Sequence, residues 1–123
     1  MLKFTSDHEW ILLDDDCATI GITDYAQEQL GDLVFVQLPN PGANLQAGGV
    51  AAVVESVKAA SEVYAPIDGE VVAVNDEVSR DPTLINSDPM KKGWLYRLKV
   101  SKRAQFDVLL DEQAYRAMLE RPA

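Results

Sequence analysis

The sequence predicts a mainly β fold, a flattened barrel or sandwich with short helices and a helical C-terminus. Three observations carry that prediction. Runs rich in β-branched and aromatic residues recur at 9–13, 18–22, 33–38, 50–54, 71–74 and 94–100. Breaks containing Gly, Pro, Asn or Asp separate many of them. Apolar residues at helical spacing gather mainly after Ser101.

Length and charge bound the function. The 123 residues suit one domain, 1–123, and 47% hydrophobic residues can fill one core. Eleven Lys and Arg against twenty Asp and Glu leave a net charge of −9. Nucleic acids and anionic membranes both require a basic footprint, so neither is an expected partner. The single cysteine, Cys17, rules out an internal disulfide and a cysteine-built metal site. It follows Asp14-Asp15-Asp16, an electronegative setting that disfavours a thiolate, so a structural role is expected. No apolar signal core, Arg-rich transit segment or membrane-length run stands out. A cytoplasmic protein is expected, or a mature organellar one whose leader has been removed.

Taken in order, residues 2–13 read as β structure, Asp14–Asp16 as a turn, and Ala18–Ile22 as the antiparallel return. His8, the only histidine, has no neighbouring metal ligands or triad partners in sequence, and a structural role is expected. Thr23 is a candidate N-cap for a helix over 24–30 that stops at Gly31, with Tyr25, Ala26 and Leu30 facing inward. Leu33–Leu38 reads as a strand, and Pro39–Gly42 and Leu45–Gly49 as turns. Asp68-Gly69 is a hairpin signal before the valine run that follows.

Residues 76–93 carry little pattern beyond loop with a helical turn. From Trp94 to Val100 the alternation puts Trp94, Tyr96, Leu98 and Val100 on one face and Leu95, Arg97 and Lys99 on the other. Ser101 is placed to cap a helix bearing Phe106, Leu109 and Leu110. Asp111 is placed to cap another bearing Tyr115, Met118 and Leu119, ended by Pro122.

The chain is organised around Val53 to Tyr64, with Glu55-Ser56-Val57-Lys58-Ala59-Ala60-Ser61-Glu62 at its centre. Strand-like residues flank this stretch, so it reads as a hairpin tip, although the usual Asn-Gly or Asp-Gly pair is missing. A lysine there offers a long primary amine to another protein. Taken alone it could equally be a solvated loop lysine. Catalytic patterns are lacking: no nucleophile elbow, Gly-rich phosphate loop or His–acid pair is seen. A carrier fits better than an enzyme.

In order along the chain stand His8-Glu9-Trp10, Gly21–Gln27, Gly31–Val36, Glu55-Ser56-Val57-Lys58-Ala59, Ala65–Val71 and Gly93-Trp94. This series, covering nearly the whole chain, closely resembles the H proteins of the glycine cleavage system. The resemblance implies a lipoyl-domain fold with lipoate in amide linkage on Lys58. It implies a carrier that takes an aminomethyl group of glycine from the P protein, a pyridoxal-phosphate glycine decarboxylase. Delivery is to the T protein, an aminomethyltransferase, and reoxidation is by the L protein, a dihydrolipoamide dehydrogenase. A lipoate ligase or a lipoyl/octanoyl transferase would attach the group.

The resemblance also implies a cleft for the loaded arm, in which a carboxylate would meet the cationic amine. The candidates by motif position are Glu9 and Glu62, with mere solvation of both as the alternative. Glu62 departs mildly from the family, where Asp is often found, and Asp7 receives no role. A monomer is expected. A biotinyl domain is a weaker match, because Val57 and Ala59 replace the usual methionines around the lysine. The alternative within the family is an H-like lipoyl donor or relay. A plain interaction module with an unmodified Lys58 is the alternative from a different class.

Overall fold

A computed structural model describes residues 1–120. Nine strands and five short helices are found among them. The strands are β1 (Leu2–Phe4), β2 (Glu9–Asp14), β3 (Cys17–Ile22), β4 (Leu33–Gln37), β5 (Asn44–Leu45), β6 (Val50–Ser56), β7 (Ala60–Tyr64), β8 (Gly69–Val74) and β9 (Tyr96–Val100). The helices are α1 (Asp24–Leu30), α2 (Asp76–Arg80), α3 (Thr83–Ser87), α4 (Arg103–Asp107) and α5 (Glu112–Leu119). One sheet runs β1-β2-β3-β9-β8-β5 and the other β4-β6-β7. The sheets stay separate, so the sandwich half of the expected architecture describes them.

Alternation explains how the core forms. On β2, Glu9, Ile11 and Leu13 share the face turned to the second sheet, while Trp10 points the other way. Ile11, Ile20, Leu98 and Val71 meet Val54, Val63 and Ile67 in the main cluster. Trp10 joins Phe4 and Tyr115 in a second cluster, which Met90, Trp94, Leu110, Met118 and Leu119 flank. The two faces of β2 therefore serve two different layers. Gly21 lies opposite Trp10 in the β2–β3 register. A Cβ at Gly21 would come within 2.6 Å of the indole nitrogen, so the ring requires glycine there.

Helix ends follow their caps. Thr23 accepts the Ala26 N–H at 3.3 Å and Asp111 accepts that of Ala114 at 2.8 Å, as expected for both N-caps. Gly31 ends α1 at φ +85°, a conformation that only glycine adopts without strain. Ala26 and Leu30 pack on the core as expected, but Tyr25 stays 38% exposed with its ring against His8, centroids 4.6 Å apart.

Several expectations are corrected. Residues 2–13 form two strands, because residues 5–8 make a turn in which His8 takes φ +68°. Asp68-Gly69 is no hairpin: β7 and β8 belong to different sheets. The Asp68 carboxylate accepts the Ala47 N–H at 2.8 Å, and Gly69 is required by space, since a Cβ would fall 2.6 Å from the Lys99 carbonyl. Leu95 is buried like Tyr96 and Leu98, although alternation set it on the opposite face, for it precedes β9 and donates its N–H to the Ile20 carbonyl.

Ser101 does not cap α4, whose N-cap is Lys102, without a side-chain bond. Leu109 and Leu110 lie beyond α4, and Leu110 instead bridges the edge strand β1 through Phe4. The loop expected over 76–93 contains α2 and α3. Pro122 lies outside the described residues.

Candidate functional site

Strands β6 and β7 pair from Val50 with Tyr64 to Glu55 with Ala60, leaving Val57, Lys58 and Ala59 as the turn. None of the three has a positive φ, which explains how the turn forms without Asn-Gly. Ser56 organises it instead. Its hydroxyl accepts the Lys58 and Ala59 N–H groups at 3.3 and 3.1 Å and donates to the Ala59 carbonyl at 3.2 Å. The Ser56 N–H also donates to that carbonyl at 2.7 Å.

Lys58 is thereby exposed at the tip, beside an 84%-exposed Val57. Among the described residues its ammonium makes neither a hydrogen bond nor an ion pair. A primary amine with no competing partner, on a turn fixed from beneath, is chemically suited to acylation. An amide-linked acyl group such as lipoate fits this tip.

Glu9 stands in a contrasting setting, 2% exposed at the end of the inter-sheet core. One carboxylate oxygen accepts the Thr5 hydroxyl at 2.9 Å and the other accepts the Tyr64 N–H at 2.8 Å. The Thr5 hydroxyl oxygen in turn accepts the Glu9 and Asp7 N–H groups at 3.2 and 3.3 Å. Burial pushes the Glu9 carboxyl up from 4.5 to about 7, the two hydrogen bonds oppose the rise, and nearby Asp7 adds to it. Tyr96, wholly buried, has a hydroxyl with no partner among the described residues, and Glu9 lies close enough to help keep it protonated.

Glu62 lies two residues before Tyr64, exposed and paired across β6 with Val53. No hydrogen bond or ion pair joins it to Glu9 or Lys58 among the described residues. Glu62 is therefore exposed where it stands, whereas Glu9 is buried and hydrogen-bonded.

His8 anchors the same corner. Its Nδ1 lies 2.8 Å from the Tyr115 hydroxyl, which lies 2.8 Å from Thr23 Oγ1, the cap of α1. Burial holds the imidazole below its ordinary value although Asp7 pulls it up. Cys17, on β3, is a free, half-buried thiol whose residue pairs with Lys99 on β9.

Sequence reasoning missed Thr5, Tyr64 and Asn86. A threonine four residues before a glutamate carries no strand or helix signal. Tyr64 acts through its main chain, which side-chain patterns do not report. Asn86 lies in the segment read as loop. From α3 it accepts the Leu33 N–H at 2.9 Å and donates to the Gly31 carbonyl at 3.0 Å and the Gln27 side chain at 2.9 Å.

Fold and site together define a barrel-sandwich domain that presents one lysine at a hairpin tip. Residues 2–122 match the family model described as glycine cleavage H-protein. The chain is 54% identical to the glycine cleavage system H protein of Bartonella quintana, over 96% of this chain and 97% of that one. It is 53% identical to the H protein of Parvibaculum lavamentivorans, over 97% and 95%. It superposes on the crystal structure of the Mycobacterium marinum H protein with TM-score 0.86, at 38% identity, covering 98% and 97%. The chain belongs to the glycine cleavage H-protein family.

Proposed function

We propose that residues 1–123 act as one non-catalytic lipoyl-carrier domain of the glycine cleavage system, with lipoate held in amide linkage on Lys58. When bound, that group supplies a redox-active disulfide able to carry an aminomethyl unit between the P and T proteins, with return to the disulfide by the L protein. A lipoate ligase or a lipoyl/octanoyl transferase would install it. The observation that carries this reading is Lys58 at an exposed turn built by Ser56, in a chain of this family.

The residues of this chain have separate tasks. Ser56 shapes the tip, Lys58 offers Nζ, and the β6–β7 hairpin projects both toward a partner's active site. Tethering raises the effective concentration of the carried group at each docked enzyme. Glu9 is the carboxylate for the cationic amine of the loaded arm. A cation brought against it would draw off the carboxyl proton, which the buried site otherwise retains near neutral pH. Glu62 is a second candidate, reaching the arm from the surface beside the tip.

Mass spectrometry of the protein from its own cells tests the assignment. A lipoyl increment on the peptide containing Lys58 is expected. A lysine that stays bare even with an active lipoyl ligase would remove it.

A further inference from the structure

The stem of Lys58 lies over the end of α1. A methyl built at Gly31 would sit 3.5 Å from Lys58 Cε and 4.0 Å from Nζ, so the lysyl chain passes over the bare Cα that ends α1. The turn from Gly31 to Leu33 is fixed by Asn86. Its Oδ1 takes the Leu33 N–H on one side, and its Nδ2 donates to the Gly31 carbonyl on the other and to Gln27. Both amide hydrogens and the oxygen are thus engaged, so the side chain has one orientation.

The opposite end of α1 abuts the strand bearing Glu9. There the Thr23 N–H donates to the His8 carbonyl at 2.9 Å. Seven helical residues span about 10 Å at the standard rise. Helix α1 therefore connects the place where the lysyl stem lies to the neighbourhood of the buried carboxylate.

We propose that Asn86 is a positioning residue for the carrier arm. By clamping the Gly31–Leu33 turn, it seats the Lys58 stem along the end of α1. A group attached to Nζ then leaves the hairpin along the body, on the side of Glu9, instead of extending into solvent. The seat concerns the lysine itself. Its consequence for carried groups rests on the lipoyl-carrier reading.

Two measurements on the full chain separate these levels. With the unmodified protein, NMR should show a cross-relaxation contact between the Lys58 ε-methylene and the Gly31 α-protons. It should persist in Gln27→Ala and be lost in Asn86→Ala. Asn86→Asp keeps the acceptor for Leu33 but cannot donate to Gly31, and serves if the alanine variant does not fold. Absence of the contact in the wild type, or its survival in a folded Asn86 variant, would overturn the proposal.

With the lipoylated, aminomethyl-loaded protein, Asn86→Ala should lose its cargo about fivefold faster, as expected for a seat worth roughly one hydrogen bond. Unchanged cargo lifetime despite a displaced lysine would also overturn it. Failure of the carrier reading looks different: the NMR contact would stand while wild-type Lys58 remained bare in a cell able to lipoylate.

Discussion

The Glu9 carboxylate accepts the Tyr64 main-chain N–H at 2.8 Å, and so joins the six-stranded sheet to the last residue of β7. β7 is also the strand that leaves the Lys58 turn. A buried acid therefore does two things at once. It ties the sheets together, and it keeps a carboxyl group buried at the root of the Lys58 hairpin.

Glu9 should impose a pH dependence on stability. Its carboxyl is raised in the fold from 4.5 to about 7, so the folded chain holds a proton that the unfolded chain has released. Its contribution is fully present below pH 4.5, lost as the pH rises through 7, and flat above. The span corresponds to roughly 3 kcal/mol. Denaturant unfolding of Glu9→Gln at several pH values should lack this slope. An identical slope in both proteins would assign it to other groups.

Lys58→Arg keeps the charge and the exposed turn, so its melting temperature should match the wild type. It should carry no lipoyl group and support no glycine cleavage. Activity assays with the partner enzymes, alongside mass spectrometry, check both halves.

The two acids should differ when the arm is loaded. Glu9→Gln removes a buried charge that would face the cationic amine, and should shorten the lifetime of the aminomethylated arm about tenfold or more. Glu62→Ala, at an exposed site, should shorten it severalfold at most. Ammonia release from each loaded variant gives the order, and equal rates would deny Glu9 a special place.

Gly21→Ala should destabilise the protein by roughly 1–3 kcal/mol. The added methyl collides with Trp10, whose indole N–H is already committed to the Pro89 carbonyl at 2.9 Å and cannot swing aside without losing it. Equilibrium unfolding measures the loss. A neutral result would mean that β3 shifts away from the ring.

Asp111→Ala should cost about 1 kcal/mol by leaving the Ala114 N–H without its cap. Because α5 carries Tyr115 into contact with His8 and Thr23, the same change should perturb the His8 resonances in NMR. Resonances that do not move would uncouple the C-terminal helix from that corner.

The sequence by itself determined the β-rich class, the hairpin around Lys58, the caps of α1 and α5, and the family. These features are written in local chemistry: alternation, β-branching, a threonine or aspartate before a helix, and a long series of motifs in order. Tertiary structure decided which turn signals join paired strands. Asp68-Gly69 looked like a hairpin, yet its aspartate holds a different turn and its glycine makes room for β9. Only the assembled fold could bury Glu9 between Thr5 and Tyr64, leave Glu62 outside, and bring Asn86 under the turn beside Lys58. The reason is physical. Burial and hydrogen-bond partnership belong to residues distant in sequence, and a raised carboxyl pKa exists only once a core has closed over it.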